Sequence, residues 1–407
     1  MTARLKLALL GLACVGLALL LAVPLLIAAQ GADPVPTATV TPTPDPTATA
    51  AAALFTVSQA ELVSHYPDGV EYIVRASSSA GTIARVQVTW WLTASVRESH
   101  TLDWDEEREA FVWFDRMFQP PWFEVSYLFR LTDSAGNRYT TAELADEYVD
   151  PNPERDWIRR ENDQVIILML GARPALADDL FAIAARNIEV LTDRFGYGLD
   201  FRPYIVVVPD QATFDEWREY VDINYLGFAF WDRGYTIQRL DQGEDVLAFN
   251  VVSHELTHIF QNARPGPSDL PRWFIEGHAS YMEDRHYYDY EARVLPVAHQ
   301  IPSLEADISL DFPGPDGGGR WAYDVGFCFI KYWILHYGWD SHRAFWEAQQ
   351  SMDFYEAMEA ATGLPFTELE LQFRAYMGAG PAPTFVPTPT MRPFPTAPSM
   401  PTLPGSS

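Results

Sequence analysis

The stretch VVSHELTHIF at residues 251–260 decides which kind of domain this chain forms. It places His254 and His258 four positions apart in an apolar run that favours a helix. Positions i and i+4 of an α-helix differ by about 40° around the axis and by ~6 Å along it, so both imidazoles can bind one metal ion. Glu255 lies about 100° around the helix from His254, where a carboxylate can take a proton from a water molecule beside the metal.

A second stretch, PRWFIEGHASY at residues 271–281, supplies the third ligand. Glu276 follows His258 by 18 residues, and the Gly- and Pro-rich loop between them allows a second helix to fold back against the first. His278 is the competing ligand. On a helix it points about 200° away from Glu276, so the two cannot bind one metal together. The sequence therefore predicts one Zn²⁺ per chain, bound by His254, His258 and Glu276 with a fourth position left open.

Cysteine takes no part in this site. The chain contains only Cys14, which lies in the apolar N-terminal run, and Cys328. Two cysteines so placed exclude a cysteine-based zinc site, and any metal must be bound by histidine and carboxylate. A site that binds a metal without catalysis is the alternative interpretation, and the presence of Glu255 argues against it.

Together, the segments H-E-L-T-H and W-F-I-E-G-H-A-S-Y resemble the gluzincin metallopeptidases of the peptidase MA-like group, which are related to thermolysin and aminopeptidase N. The similarity covers about residues 160–378. The metzincin pattern is not met, because Gln261 and Arg264 stand where that family has glycine and a third histidine. The resemblance implies hydrolysis of peptide bonds, with His254, His258 and Glu276 as zinc ligands and Glu255 as general base and acid.

The resemblance also suggests groups that contact the substrate. Tyr323 is the counterpart of a tyrosine that steadies the oxyanion, and helix packing is the other interpretation of this residue. His336 and His286 are alternative oxyanion donors. Arg233–Gln238 resembles the edge strand on which these enzymes bind an extended substrate through main-chain hydrogen bonds. No G-x-M-E-N exopeptidase signature is present, which favours endopeptidase action.

Residues 54–150 are predicted to be all β. Apolar and polar residues alternate at 70–76, 86–92 and 123–131, and turn residues such as DSAGN at 133–137 separate the runs. Short strands of period two over about 95 residues are typical of an immunoglobulin-like β-sandwich.

After the sandwich the pattern changes. Continuous apolar runs at 165–170 and 204–208 predict buried strands, and the periodicity between them predicts a helix over 174–195. Residues 245–377 are predicted to be mainly helical. Strands that alternate with helices and then give way to helices indicate an α+β domain.

The predicted fold class is therefore α+β, in a multidomain chain with flexible ends. Proline and threonine dominate those ends, which favours extended polyproline II over packing. The predicted segments are a signal-anchor or transmembrane segment at 1–30, a Pro/Thr-rich linker at 31–53, the Ig-like β-sandwich at 54–150, a gluzincin (zincin-type) peptidase domain at 157–378 with a mainly helical C-terminal half, and a Pro/Thr-rich disordered tail at 379–407.

Residues 7–29 form an uncharged, mostly apolar run behind Arg4 and Lys6. A helix of that length covers ~35 Å, enough to cross a bilayer, and the preceding positive charges keep the N-terminus in the cytoplasm. We expect a single-pass cell-membrane protein with its C-terminal bulk outside the cytoplasm, and secretion after signal cleavage is the alternative. The formal net charge of −27 disfavours nucleic acid as a partner.

The predicted function is zinc-dependent hydrolysis of peptide or protein substrates outside the cytoplasm. The alternative is a cell-envelope adhesion or binding protein in which the sandwich makes the contacts and the metal site is inactive or structural. The sequence leaves the oligomeric state and the cleavage specificity open.

Overall fold

The computed structural model describes residues 53–92, 97–116, 120–216, 226–241, 243–286, 288–306 and 320–381. The predicted membrane segment at 7–29, nearly all of the linker and most of the C-terminal tail lie outside these residues. Within the described part of the chain, none of the helices combines the length and the apolar composition that a membrane crossing requires.

The described residues contain fourteen strands in three sheets, together with a set of helices, so the chain is α+β as predicted. The strands are β1 Phe55–Ser64, β2 Val70–Ser78, β3 Ile83–Trp91, β4 Glu98–Thr101, β5 Asp103–Asp105, β6 Ala110–Asp115, β7 Phe123–Asp133, β8 Arg138–Thr140, β9 Leu144–Tyr148, β10 Trp157–Glu161, β11 Ile166–Leu170, β12 Tyr204–Val208, β13 Gly227–Phe230 and β14 Tyr235–Arg239.

The first nine strands form two sheets that pack face to face. One has the order β1-β2-β6-β5, and the other has the order β4-β3-β7-β8, with β9 also paired to β7. Along β7 the odd positions are buried, as the alternation predicts. Tyr72 of one sheet meets Tyr127 of the other at 5.6 Å between ring centroids. The strands predicted at 70–76, 86–92 and 123–131 are confirmed, and the Ig-like connectivity stays a prediction.

The third sheet has the order β10-β11-β12-β14-β13. Its three central strands are parallel, and β10 and β13 pair antiparallel at the two edges. The runs predicted at 165–170 and 204–208 are β11 and β12, and nearly all of their residues are buried. These two central strands are covered on both faces, which explains why their sequences are nearly continuous apolar runs.

The prediction that Arg233–Gln238 is the edge strand is wrong. Residues Tyr235–Arg239 form β14, which lies between β12 and β13 and is buried at every position. Strands β13 and β14 are the two arms of a β-hairpin, and the second arm, β14, pairs in parallel with β12. Among the described residues the first arm, Gly227–Phe230, is therefore the outermost strand of the sheet, and we call the side on which no other described strand pairs with it the free edge.

The sandwich and the third sheet share one apolar cluster. Phe123 of β7 contacts Tyr204 of β12 at 4.2 Å and Tyr235 of β14 at 5.0 Å between ring centroids. The side chains that bury the sandwich therefore also cover one face of the third sheet. The domain division at 54–150 and 157–378 stays a prediction.

The helices pack on the other face of the third sheet and against one another. The helix predicted over 174–195 is confirmed, with Pro174 in its first turn and Gly196 as its left-handed C-cap. The helices are α1 Pro174–Phe195, α2 Gln211–Asp215, α3 Glu244–Val246, α4 Val252–Ala263, α5 Arg272–Tyr281, α6 Tyr290–Val294, α7 Trp321–Ala348, α8 Phe354–Thr362 and α9 Phe366–Met377, with a π-helical turn at Leu247–Val251 and 3₁₀ turns at Leu295–Gln300 and Leu304–Ala306.

Helices α5 and α7 cross at a pair of glycines. A Cβ atom placed on Gly277 would lie 2.5 Å from the main-chain nitrogen of Phe327 and closer still to the backbone of Gly326. Any larger residue at either glycine would separate the helices, so the two glycines set how deeply α5 sits.

Candidate metal centre and active site

Helix α4 presents the H-E-x-x-H segment to a cavity. Leu256, Ile259 and Phe260 are buried and hold one side of the helix against the core, while His254 and His258 remain partly exposed on the other side. The two imidazole rings lie 5.0 Å apart, centroid to centroid, as expected for positions one turn apart.

Glu276 of α5 meets both histidines. Its Oε2 atom lies 3.4 Å from Nε2 of His254 and 3.5 Å from Nε2 of His258. Tetrahedral zinc with bonds of about 2.0–2.1 Å separates neighbouring ligand atoms by about 3.3 Å. Two imidazole nitrogens and a carboxylate oxygen at this spacing fit zinc, and these three residues form the group in the described chain that could hold a metal ion.

His254 is oriented by Glu283, a residue that the sequence analysis missed. Its Nδ1 lies 3.2 Å from Oε1 of Glu283, and the carboxylate also accepts hydrogen bonds from Asn250 Nδ2 and the Tyr290 hydroxyl. Because a carboxylate only accepts, Nδ1 of His254 carries a proton, and Nε2 is the nitrogen that faces Glu276 and would bind a metal after losing its own proton. Glu283 lies seven residues after Glu276 and two residues past the end of α5, and the presence of a further acidic residue so soon after the ligand is the signal that could have identified it.

His258 is oriented by an amide instead of a carboxylate. Its Nδ1 lies 2.8 Å from Oε1 of Gln261, and the amide nitrogen of Gln261 lies 3.2 Å from Nδ1 of His278. His278, the competing ligand in the sequence analysis, is fully buried and contacts His342 with its other nitrogen at 2.9 Å. It therefore lies behind the ligand histidine and is not in the metal cluster.

The acidic and basic groups of the cluster shift one another's ionisation strongly. Burial alone would lower the pKa of His254, but hydrogen bonds to Glu276 and Glu283 outweigh it and raise this pKa to about 10. Burial would raise the pKa of Glu276, yet the two histidines hold it well below its usual range. Three carboxyl groups, those of Glu255, Glu276 and Glu283, thus lie around two histidines, and a metal cation bound there would take the place of the proton that His254 holds.

Glu255 lies beside this cluster, against the edge strand. Its side chain lines the cavity together with both histidines, and burial raises its pKa above the usual value for a glutamate. A Cβ atom on Gly227 of β13 would lie 2.9 Å from Oε1 of Glu255 and 2.6 Å from Cγ1 of Val251. Only glycine leaves room for Glu255 at this point of the strand.

Tyr323, at the start of α7, lines the same cavity. Its ring stacks on His254 with 5.9 Å between the ring centroids. Burial is the main cause, and the negative charge of Glu276 the second, of a phenol pKa that is raised well above 10. The phenol therefore keeps its proton and can donate a hydrogen bond. His286 packs on Phe327, and His336 is exposed beside Tyr332; neither lines the cavity.

The free edge of β13 forms one wall of the cavity. The main-chain nitrogen of Arg239 donates to the oxygen of Leu226 at 3.0 Å, and Phe228 faces Ile237 two residues on. Alternate residues of an antiparallel strand bond to its partner, so the N–H and C=O groups of Gly227 and Ala229 point away from β14 toward the cavity. The other lining residues are Trp231, Asn262, Arg272 and Ile275.

No protein-family model matches the sequence, and no curated protein matches it either. Among solved structures, the chain is similar to an M1 zinc metallopeptidase from Deinococcus radiodurans, with 14% identity, a TM-score of 0.38 and coverage of 82% of this chain and 96% of that one. It is also similar to Legionella pneumophila aminopeptidase A, with 10% identity and a TM-score of 0.36 over 79% of this chain, and it spans about half (49%) of that protein. TM-scores of this size define neither a shared fold nor a shared activity, so the site itself has to carry the functional conclusion.

Proposed function

We propose that this chain is a zinc-dependent peptidase with a gluzincin-type site. One observation carries the proposal: the ligand atoms of His254, His258 and Glu276 lie within 4.8 Å of one another, beside Glu255 and the free edge of β13. The cavity thus joins a metal-binding group, a carboxylate base and a main-chain surface for an extended peptide.

The residues present fit the metal in chemistry as well as in spacing. His254 and His258 would each contribute a neutral imidazole nitrogen, and Glu276 would contribute one carboxylate oxygen, while its other oxygen faces Arg272 at 3.8 Å. When bound, zinc supplies a Lewis acid that polarises the substrate carbonyl and increases the acidity of water.

Glu255 moves the proton in this proposal. Its carboxylate takes one proton from the attacking water as the water oxygen bonds to the carbonyl carbon, and it then passes that proton to the amine nitrogen as the C–N bond breaks. Burial suits this role, since a raised pKa makes the carboxylate a stronger base and a ready donor of the same proton. Tyr323 donates a hydrogen bond to the carbonyl oxygen as that oxygen gains negative charge.

The edge strand binds the peptide main chain. Gly227 and Ala229 offer N–H and C=O groups toward the cavity, and an extended peptide that pairs with them becomes a further strand of the sheet. The substrate strand then runs past Glu255, because Gly227 lies directly against that side chain. Gly227–Phe230, and not Arg233–Gln238, is therefore the strand that we propose to bind the substrate.

Endopeptidase action is the form of the activity that we propose. Among the described residues that line the cavity, the carboxylates are Glu255 and Glu276, the base and the metal ligand. A further carboxylate to bind a free substrate N-terminus is absent from that lining, which favours substrates that continue past the cleaved bond in both directions.

The location of the activity is part of the proposal. An apolar run at residues 7–29 and a Pro/Thr-rich linker would tether the peptidase outside the cytoplasm, with an Ig-like sandwich between the tether and the catalytic domain. We also propose that each chain binds one Zn²⁺ and that the substrate is a peptide or a protein.

A digest of a peptide library by the full chain tests the activity. We expect cleavage of peptides blocked at both ends, loss of cleavage with a metal chelator and its recovery with added Zn²⁺. Glu255→Gln should reduce turnover by at least ~100-fold while zinc still binds, because only the proton carrier is removed. A chain that binds zinc but cleaves no peptide would favour the alternative, an envelope-binding protein with a structural metal.

A further inference from the structure

A row of buried polar side chains leads from the metal cluster into the helical half of the protein. It continues from His258 through three side chains and ends at a main-chain carbonyl of α1. The successive links are His258 Nδ1 to Gln261 Oε1 at 2.8 Å, Gln261 Nε2 to His278 Nδ1 at 3.2 Å, His278 Nε2 to His342 Nε2 at 2.9 Å, and His342 Nδ1 to Arg194 O at 2.8 Å. The three intermediate residues are at most 3% exposed, so bulk water does not contact these links.

The far end of the row has only one possible arrangement of protons. The carbonyl oxygen of Arg194 can only accept a hydrogen bond, so Nδ1 of His342 must carry a proton. The indole nitrogen of Trp346 can only donate, and it lies 3.1 Å from Nε2 of His342, so that nitrogen must be bare. Two neighbours of opposite type thus assign the same tautomer to His342.

The tautomer of His342 determines the tautomer of His278, which in turn determines the orientation of the Gln261 amide. Because Nε2 of His342 accepts, Nε2 of His278 must donate, which leaves Nδ1 of His278 bare. That bare nitrogen accepts from the amide nitrogen of Gln261, which also donates to the carbonyl of Ile275 at 2.9 Å. The amide oxygen of Gln261 therefore faces His258 and accepts its Nδ1–H.

We infer that Gln261, His278 and His342 form a one-way hydrogen-bond relay that fixes the metal ligand His258 as its Nδ1-protonated tautomer. The inference rests on the proposed metal site, and it makes the three side chains positioning residues. With the proton on Nδ1, the lone pair of Nε2 faces Oε2 of Glu276, where a metal would bind. On His254 the carboxylate of Glu283 accepts from Nδ1 instead, so the two ligands are oriented by different means.

Ring-nitrogen NMR of the full chain, labelled with ¹⁵N in histidine and free of metal, tests the direction of the relay. We expect the two central rings to be opposite tautomers, with the proton on Nδ1 of His342 and on Nε2 of His278. The single variants His342→Phe and His278→Phe assign the signals. Two rings of the same tautomer would overturn the inference. This measurement needs no metal, so it separates failure of the relay from failure of the proposed activity.

Zinc affinity, measured by competition with a chelator, tests the positioning role. Gln261→Met should weaken zinc binding by ~10–100-fold, the usual cost of losing the partner of a metal-bound histidine. His342→Phe should cost less, because Ile275 still holds the amide of Gln261.

Ser341→Ala is the matched control. Ser341 lies next to His342 on α7, and its hydroxyl accepts from Trp333 and donates to the carbonyl of Ala361, outside the relay. It should bind zinc as the wild type does. The positioning role is refuted if the wild type binds zinc and Gln261→Met binds it equally well, or if Ser341→Ala loses as much affinity as Gln261→Met. A wild-type chain that binds no zinc would instead contradict the proposed function.

Discussion

A single added methyl group at Gly277 tests how the fold places the third ligand. In Gly277→Ala the new Cβ atom would lie 2.5 Å from the main-chain nitrogen of Phe327, whereas ordinary contacts begin at 3.4 Å. Helices α5 and α7 must therefore separate by at least 0.9 Å, the difference between those distances. The atoms on the other side are backbone, so no side chain can rotate away to make room.

Two consequences follow for Gly277→Ala. The overpacking should lower the free energy of unfolding by about 2–3 kcal/mol, measured by urea denaturation of the metal-free protein. Glu276 is the neighbouring residue on α5, and zinc sites tolerate errors of only about 0.2 Å in ligand distance. A displacement of 0.9 Å should therefore weaken zinc binding by at least ~10-fold, measured by chelator competition.

Gly198→Ala is the control for this experiment. Its new Cβ atom would meet only Thr192, at an ordinary 3.8 Å, and Gly198 is exposed. This variant should unfold and bind zinc as the wild type does. If Gly277→Ala keeps both the stability and the zinc affinity of the wild type, the close helix crossing does not set the position of Glu276, and the reasoning fails.

Two further predictions concern the base and the buried histidines. Gly227→Ala would place a methyl group 2.9 Å from Oε1 of Glu255, so turnover of a peptide should fall by at least ~10-fold while zinc affinity stays unchanged; equal turnover would show that Glu255 has room to move. Burial lowers the pKa of His342 to about 3, so below about pH 6.5 the unfolded chain binds a proton that the native chain lacks. This should lower the free energy of unfolding by about 1.4 kcal/mol per pH unit, or about 2 kcal/mol from pH 6.5 to 5. Urea denaturation across this range should show a steeper loss in the wild type than in His342→Phe, and parallel curves would contradict the assignment.

The strands and helices follow the local sequence pattern closely. Period-two alternation located β2, β3 and β7, and apolar runs located β11 and β12, because burial on one face or on both leaves a direct trace in the sequence. Strand order leaves no such trace. Gly227–Phe230 and Tyr235–Arg239 are both short, and the second is the more polar of the two although all of its residues are buried, so only their pairing shows which of them carries the free edge.

In the metal cluster, too, some features could be predicted from the sequence and others could not. His254, Glu255 and His258 share one helix, so their spacing predicts their geometry, and Glu276 follows from the length of the loop. The partners of the ligands come from elsewhere: Glu283 lies past the end of α5, and the row behind His258 draws residues from α4, α5, α7 and the end of α1.

The sequence by itself therefore determined how His254, Glu255 and His258 are arranged, since the periodicity of one helix brings two imidazoles and a carboxylate to fixed relative positions. Only the tertiary structure decided how that site is supported and approached. The inferred proton position on His258 depends on side chains that are up to 84 residues further along the chain, such as His342, and the edge proposed to bind substrate depends on which arm of a hairpin pairs with β12. Such choices depend on three-dimensional packing and hydrogen-bond direction, which single-chain periodicity does not encode.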